Sequence, residues 1–311
     1  MLQRVSVHAF LAASLWLLPT TIRSQATPSC FENREALSLA VEAVASNGEL
    51  AREFLEPRYG WPIGAWCVGR VTNFSALFQN QPLFNDPLGD WDLSNAVTVA
   101  NMFENAIAFN QDISSWNVEK VTDFTALFRG AMGFNQPLEP WNVANARTLA
   151  QMFFFAQTFN QTLNGWNVSK VEFLTETFAY ARDFDSDLDS WDVSNVISME
   201  DTFKAAENFT GSVASWDTSS VLDMTGCFHN ALKFNSDVSQ VCKQLKKQRP
   251  KDRQQYNALE TAIFSALMLS LSDSLQWSTS RVTSLHMIFA QTEKFDQDLS
   301  DWDTSRVRDT R

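Results

Sequence analysis

"FNQTLNGWNVSKVEFLTETF", residues 159–178, is one copy of a unit that recurs along the chain. Stepping by 25 residues from Trp166 reaches Trp191 and Trp216 in one direction, and Trp141, Trp116, Trp91 and Trp66 in the other. Two phenylalanine series keep the same step. One runs through Phe84, Phe109, Phe134, Phe159, Phe184, Phe209 and Phe234; the other runs from Phe78 through Phe153 and Phe178 to Phe228. The 311 residues hold 11 Trp and 25 Phe but only 3 Tyr, an imbalance that follows when a few positions are copied many times. A fixed period of this length marks a solenoid or an array.

Within one unit the apolar spacing changes character. "LNGWNVSKV" reads L-x-x-W-x-V-x-x-V through Leu163, Trp166, Val168 and Val171. Trp166 and Val168 alternate, so a short strand would turn both inward. This is the L-x-x-L-x-L shape of leucine-rich repeats with Trp in the middle place. Val171, Leu174, Phe178 and Ala181 then follow at steps of three and four, which predicts a short helix with one buried stripe. "TFNQTL" and "DFDSDL" supply Asn and Asp for the return turn. The expected fold is an α/β repeat solenoid, leucine-rich-repeat-like, with one strand and one short helix per coil. No such unit buries its own apolar face, so Trp must stack on Trp and Phe on Phe.

"MFENAIAFNQDISSWNVEKVTDF", residues 102–124, resembles the units of the BspA-like leucine-rich repeat surface proteins. The likeness runs from about Trp61 to Arg311 with one interruption. It implies extracellular or cell-surface display and no known catalytic residues; no cofactor is expected.

The ends differ from the middle. Arg4, the apolar run Val5–Leu18 and the small residues Ser24 and Ala26 form a secretory leader over residues 1–26. The run is short for a bilayer span, and no other run is long enough. Residues 27–65 read as an N-terminal cap: Phe31–Ser46 has a helical stripe at Leu37, Val41 and Val44, and Asn33 suits an N-cap. Cys30 and Cys67 are candidates for a disulfide in an oxidising compartment. The solenoid is expected over 66–240 and again over 277–311, where "WDTSRVRDTR" stops after a strand with no cap.

The period breaks after Phe234. Removing 241–276 restores it, bringing Trp277, Val282, Phe289, Phe295 and Trp302 back into register. That segment carries six Lys and Arg against three Asp and Glu, in a chain of formal charge −12. It is either a basic insertion on one face of the repeat or a retained intron. The intron is preferred, because the segment opens with Val, whose codons begin GT, closes with Gln, which allows a final AG, and keeps the frame.

Strand residues that alternate with Trp and Val face outward. One column is Asp92, Asn117, Asn142, Asn167, Asp192, Asp217, Ser278 and Asp303. These short polar groups either bond to nearby backbone or form a binding strip for an extracellular protein or glycan. Ca2+ at Asp192 and Asp217 is a further candidate, although two carboxylates supply few of the oxygens it needs. The acidic balance speaks against nucleic acid. Asn73, Asn160, Asn167 and Asn208 head glycosylation sequons. The expected function is non-catalytic binding or adhesion, secreted or at the cell surface. The alternatives are a polysaccharide-active enzyme on a β-helix, which would need coils without helix, and a purely structural wall or matrix component.

Overall fold

The computed structural model describes residues 28–238, 279–300 and 302–309. Residues 1–26, expected to be a leader, the segment 241–276, Trp277 and Ser278 lie outside the described residues.

The cap is built on helix α1, Arg34–Tyr59. Asn33 starts it by accepting the Ala36 N–H at 2.9 Å, which satisfies one of the helix's orphan donors. Leu37 and Val41 are buried, and Val44 packs beside them. The helix passes the expected end at Ser46, kinks at Gly48 (φ 28°), and closes at Gly60 (φ 84°). Phe31 lies flat on Tyr59 with ring centroids 3.9 Å apart and tilts against Trp66 at 5.2 Å. Cys30 and Cys67 are joined by a disulfide, and the Phe31 N–H donates to the Cys67 carbonyl at 2.9 Å. The cap is thus tied directly to the first coil.

Beyond the cap each coil contributes one residue to a parallel bridge ladder: Asn73, Thr98, Asp123, Thr148, Phe173, Ser198, Asp223, Ser284 and Asp309. Asp223 and Ser284 are 61 residues apart in sequence yet pair like neighbours 25 apart. Phe228 stacks on Phe289 at 5.8 Å and Phe234 on Phe295 at 6.0 Å. The coils on either side of the interruption are therefore in direct contact and in register.

The aromatic series form columns through the interior. Phe78, Phe103 and Phe128 stack at 5.5 and 5.7 Å. Phe84, Phe109 and Phe134 stack at 5.9 Å at each step. Burying one such ring is worth roughly 1.5–3 kcal/mol. The tryptophans do more than fill space. Trp116, Trp141 and Trp166 donate their indole N–H to the carbonyls of Leu88, Ile113 and Leu138 at 2.9–3.0 Å. A buried indole needs a partner for its N–H, and for these three the partner is in the preceding coil.

Two expectations need correction. The Trp-x-Val segment turns both side chains inward, with Trp166 and Val168 buried, but the bridges fall later, at Phe173 in that coil. No described coil has more strand than this single bridge. The stripe Val171, Leu174, Phe178 and Ala181 is fully buried, but it lies on a run of turns and not on a helix. The backbone accounting gives the reason. Leu174, Glu176, Phe178 and Tyr180 send their N–H groups to the next coil, to Ser198, Glu200, Thr202 and Lys204. Thr177, Ala179 and Ala181 close turns onto the carbonyls three residues earlier. Two residues per coil adopt left-handed backbone to allow this, for example Glu176 (φ 53°) and Tyr180 (φ 60°). A helix would turn all those donors inward along its own axis. A stack of turns buries the same stripe and also bonds coil to coil.

Candidate functional site

The outward column sits where alternation placed it. Asp92, Asn117, Asn142, Asn167, Asp192 and Asp303 are exposed, and Asp217 is half-buried. Each uses its Oδ1 in the same way, accepting the backbone N–H two residues on: Asp92 from Ser94 at 2.9 Å, Asn117 from Glu119 at 3.1 Å, Asn142 from Ala144 at 3.2 Å. Asn167 and Asp192 accept from Ser169 and Ser194 at 3.1 Å, and Asp217 and Asp303 from Ser219 and Ser305 at 2.9 Å. Short polar side chains commonly make this Asx turn. It holds each side chain in one orientation. The second heteroatom, Nδ2 of Asn or Oδ2 of Asp, takes no part in the turn. Hydrogen bonding from Ser94 and Ser305 holds the Asp92 and Asp303 carboxyls below their ordinary value, so both are charged at neutral pH.

Asp192 and Asp217 occupy successive coils, each bound to its own serine. Among the described residues no group of three or more His, Cys, Asp or Glu gathers that could hold a metal. Cys227, the free thiol of the described residues, is wholly buried, and burial pushes its pKa up. It is unsuited to act as a thiolate nucleophile. The sequon asparagines are all engaged. Asn73 and Asn167 accept the N–H of the sequon serine itself, Ser75 and Ser169. Asn160 accepts from the Asp185 N–H at 3.0 Å. Asn208 donates to Asp183 and accepts from Lys233.

Two features were not read from the sequence. The first is an asparagine ladder at the return turn. The N–H groups of Asn110, Asn135 and Asn160 donate at 2.9 Å to the Oδ1 of Asn85, Asn110 and Asn135. Gln111 and Gln136 add their side-chain amides to Asn85 and Asn110. The repeated "FNQ" is the signal, and its partner lies a whole coil away. Beside this ladder Asn160, Asp183, Asp185, Thr210 and Lys233 line a concavity of about 520 Å³. The second feature is a surface aromatic group, with Phe155 exposed and Phe154 and Tyr180 half-buried. Phe155 and Tyr180 hold left-handed backbone at a step where other coils carry Asn80, Asn105, Gly130 and Asn230. Tyr180 contacts Phe154 edge-on at 5.5 Å, and the Arg129 guanidinium lies 5.1 Å from the Phe154 ring. Aromatic residues at positive φ are strained, and the departure from Asn and Gly at this step was the available signal.

Among the described residues no helix is long and apolar enough to cross a membrane. Neither the curated proteins nor the solved structures supply a match to this chain. The family described as "Mycoplasma protein of unknown function, DUF285" matches residues 54–165, 147–250 and 257–311. These matches fall on the aromatic coils and span the interruption except for 251–256. On that coverage the chain belongs to this repeat family, described as Mycoplasma protein of unknown function, DUF285.

Proposed function

We propose that this protein is a secreted or surface-displayed member of the BspA-like group within the repeat family, a leucine-rich-repeat-like solenoid that binds an extracellular protein or glycan without catalysis. The observation that carries the reading is the outward column. One polar side chain per coil faces outward and is held by its own turn, from Asp92 to the half-buried Asp217 and again at Asp303. Groups already fixed in the free protein lose little entropy when a partner docks. Carboxylates at repeating positions are engaged by backbone, which suits a scaffold more than general acid–base work.

The test keeps the turns intact. Asn117→Asp, Asn142→Asp and Asn167→Asp retain Oδ1 and replace the outward amide nitrogen with oxygen. Capture of extracellular proteins and a glycan array, run on the full chain and this triple variant, should show a partner whose binding the swap weakens. A partner bound equally well by both removes the column as the binding face.

The described coils lack the helices that were expected to set them apart from a β-helix, so one observation favours keeping the enzyme as a second reading. Asp183 and Asp185 line the same concavity beside Lys233. Release of reducing ends from polysaccharides, abolished in Asp183→Asn and Asp185→Asn, would establish it. A structural matrix role would show as assembly with no soluble partner captured.

A further inference from the structure

The core rings recur from coil to coil, but the surface group of Phe154, Phe155 and Tyr180 occurs once. The step that holds Phe154 carries Gln79, Glu104, Arg129 and Lys204 in other coils, and the step of Phe155 and Tyr180 carries Asn80, Asn105 and Asn230. The three rings meet one another at 5.5–6.3 Å and stand apart from the core cluster. Phe155 and Tyr180 also hold left-handed backbone, which large L-residues resist. Burial gives no reason for aromatic residues here, and strain kept at a surface points to function. Gly130 precedes the pair at this step and Ala205 follows it, so neither neighbour has a side chain large enough to cover the rings. Polar groups border them. The Arg129 guanidinium lies 5.1 Å from the Phe154 ring, and its Nη1 is 3.4 Å from the Gln151 amide oxygen. Gln151 in turn donates to Glu176. The nearby cations are already paired, Arg129 with Glu104 at 3.6 Å and Lys204 with Asp201 at 2.6 Å.

We propose that this group is a stacking platform for a neutral glycan, with Phe155 and Tyr180 against the apolar faces of sugar rings and Arg129, Gln151 and Glu176 as hydrogen-bond partners of their hydroxyls. Area and charge choose the occupant. Phe155 is 37% exposed and its two neighbours are half-buried, so the three rings offer on the order of 200 Å² of apolar surface. A stable protein interface, with a second copy of this chain or another partner, needs about 800 Å² from each side. The smaller area suits one or two sugar rings. Paired cations offer no free charge to an acidic glycan or peptide, whereas amide, carboxylate and guanidinium groups donate to or accept from neutral hydroxyls. The rings are held against one another before a ligand arrives, which lowers the entropy lost on binding. The inference deepens the glycan branch of the function proposed above. It uses a different step of the coil from the outward column, so the two can fail separately.

The full chain is titrated by calorimetry with neutral oligosaccharides of glucose, mannose, galactose and N-acetylglucosamine, and with polygalacturonate and a sulfated glycosaminoglycan as acidic controls. At least one neutral oligosaccharide should bind. Phe155→Asn with Tyr180→Asn should weaken it by roughly tenfold or more, since each aromatic contact contributes a few-fold. Other coils place Asn on this same backbone, so the double variant should keep a cooperative melt, and lost binding then reports the rings. Phe155→Leu, which keeps the bulk without an aromatic face, should also bind more weakly and serves if the double variant does not fold. Tyr180→Phe should retain most of the affinity. Phe173→Ser removes an exposed ring outside this group and should bind like the parent, as should the Asn117→Asp, Asn142→Asp, Asn167→Asp variant. Full affinity in the double variant or in Phe155→Leu, equal weakening by Phe173→Ser, or an acidic glycan bound more tightly than every neutral one overturns the inference. So does self-association in sedimentation that the double variant abolishes, or failure of all the neutral oligosaccharides to bind. A protein or acidic glycan whose binding the outward-column variant weakens would then leave the proposed function standing.

Discussion

The cap and the coils carry the same apolar spacing and solve it differently. Leu37, Val41 and Val44 lie on helix α1, where backbone donors bond within the helix. Leu174, Phe178 and Ala181 lie on stacked turns, where alternate donors cross to the next coil. The stripe states which residues are buried and leaves open what satisfies the backbone. Where a copy of the same segment stands one coil away, that copy takes the hydrogen bonds. Where no copy is available, as at the start of the chain, the helix forms and Asn33 caps it. A coil must therefore be destabilised more than a helix when it is separated from its neighbour.

The largest break should come from Trp141→Ala in a middle coil. It removes a buried ring and the bond from its indole N–H to the Ile113 carbonyl at 3.0 Å. Denaturant unfolding should show a loss of about 3–5 kcal/mol. Trp141→Phe should fall between, since it keeps most of the packing and loses only the indole bond, the Ile113 carbonyl still accepting the Trp116 N–H at 3.1 Å.

Next comes the tie between the two regions. Cys30→Ser with Cys67→Ser removes a crosslink spanning 37 residues, with an expected cost of about 2–4 kcal/mol. The loss should appear first in proteolysis of α1, with the coils protected for longer. Simultaneous loss of both regions would show that the cap is needed to hold the stack.

Glycine sharpens the comparison, because its effect should change sign. Ala45→Gly on the exposed face of α1 should destabilise by about 1 kcal/mol. Ala76→Gly, at φ 58° in the first coil, should stabilise by about 1 kcal/mol, since left-handed backbone costs L-residues that much. Equal signs in thermal melts would contradict the difference between helix and stacked turns.

The smallest effect is electrostatic. Partial burial, then Asp223, Asp201 and Glu176, raise the Glu200 carboxyl above its ordinary value of 4.5. An acid whose folded pKa is raised destabilises the fold as it ionises, so the penalty grows as pH rises through and above that value. Glu200→Gln should therefore gain stability relative to the parent at neutral pH and show no gain below the ordinary carboxyl range. Because the side chain is largely solvated, the gain should stay within ~0.5 kcal/mol. Melting both proteins between acid and neutral pH checks the sign.

The core was legible because a burial pattern is local. Trp66 through Trp216 and both Phe series can be counted on the sequence, and the stacked columns of the coils follow from the count. The register across 241–276 was legible for the same reason, and the bridge from Asp223 to Ser284 needs nothing beyond the period. The outward column was legible from alternation alone. The helix was misread because steps of three and four suit a run of turns as well. The bridge position was misread because a ladder depends on a partner coil. The asparagine ladder and the Phe154–Tyr180 contact stayed hidden for a related reason. Each joins residues whose separation in sequence means nothing until the coils are stacked.

What the amino-acid order determined by itself was which side chains face inward and how often they recur, since hydrophobic burial needs only a period. What the tertiary structure decided was where the backbone donors go, turn, helix or neighbouring coil, because a hydrogen bond requires its acceptor within about 3 Å, and stacking alone supplies that acceptor.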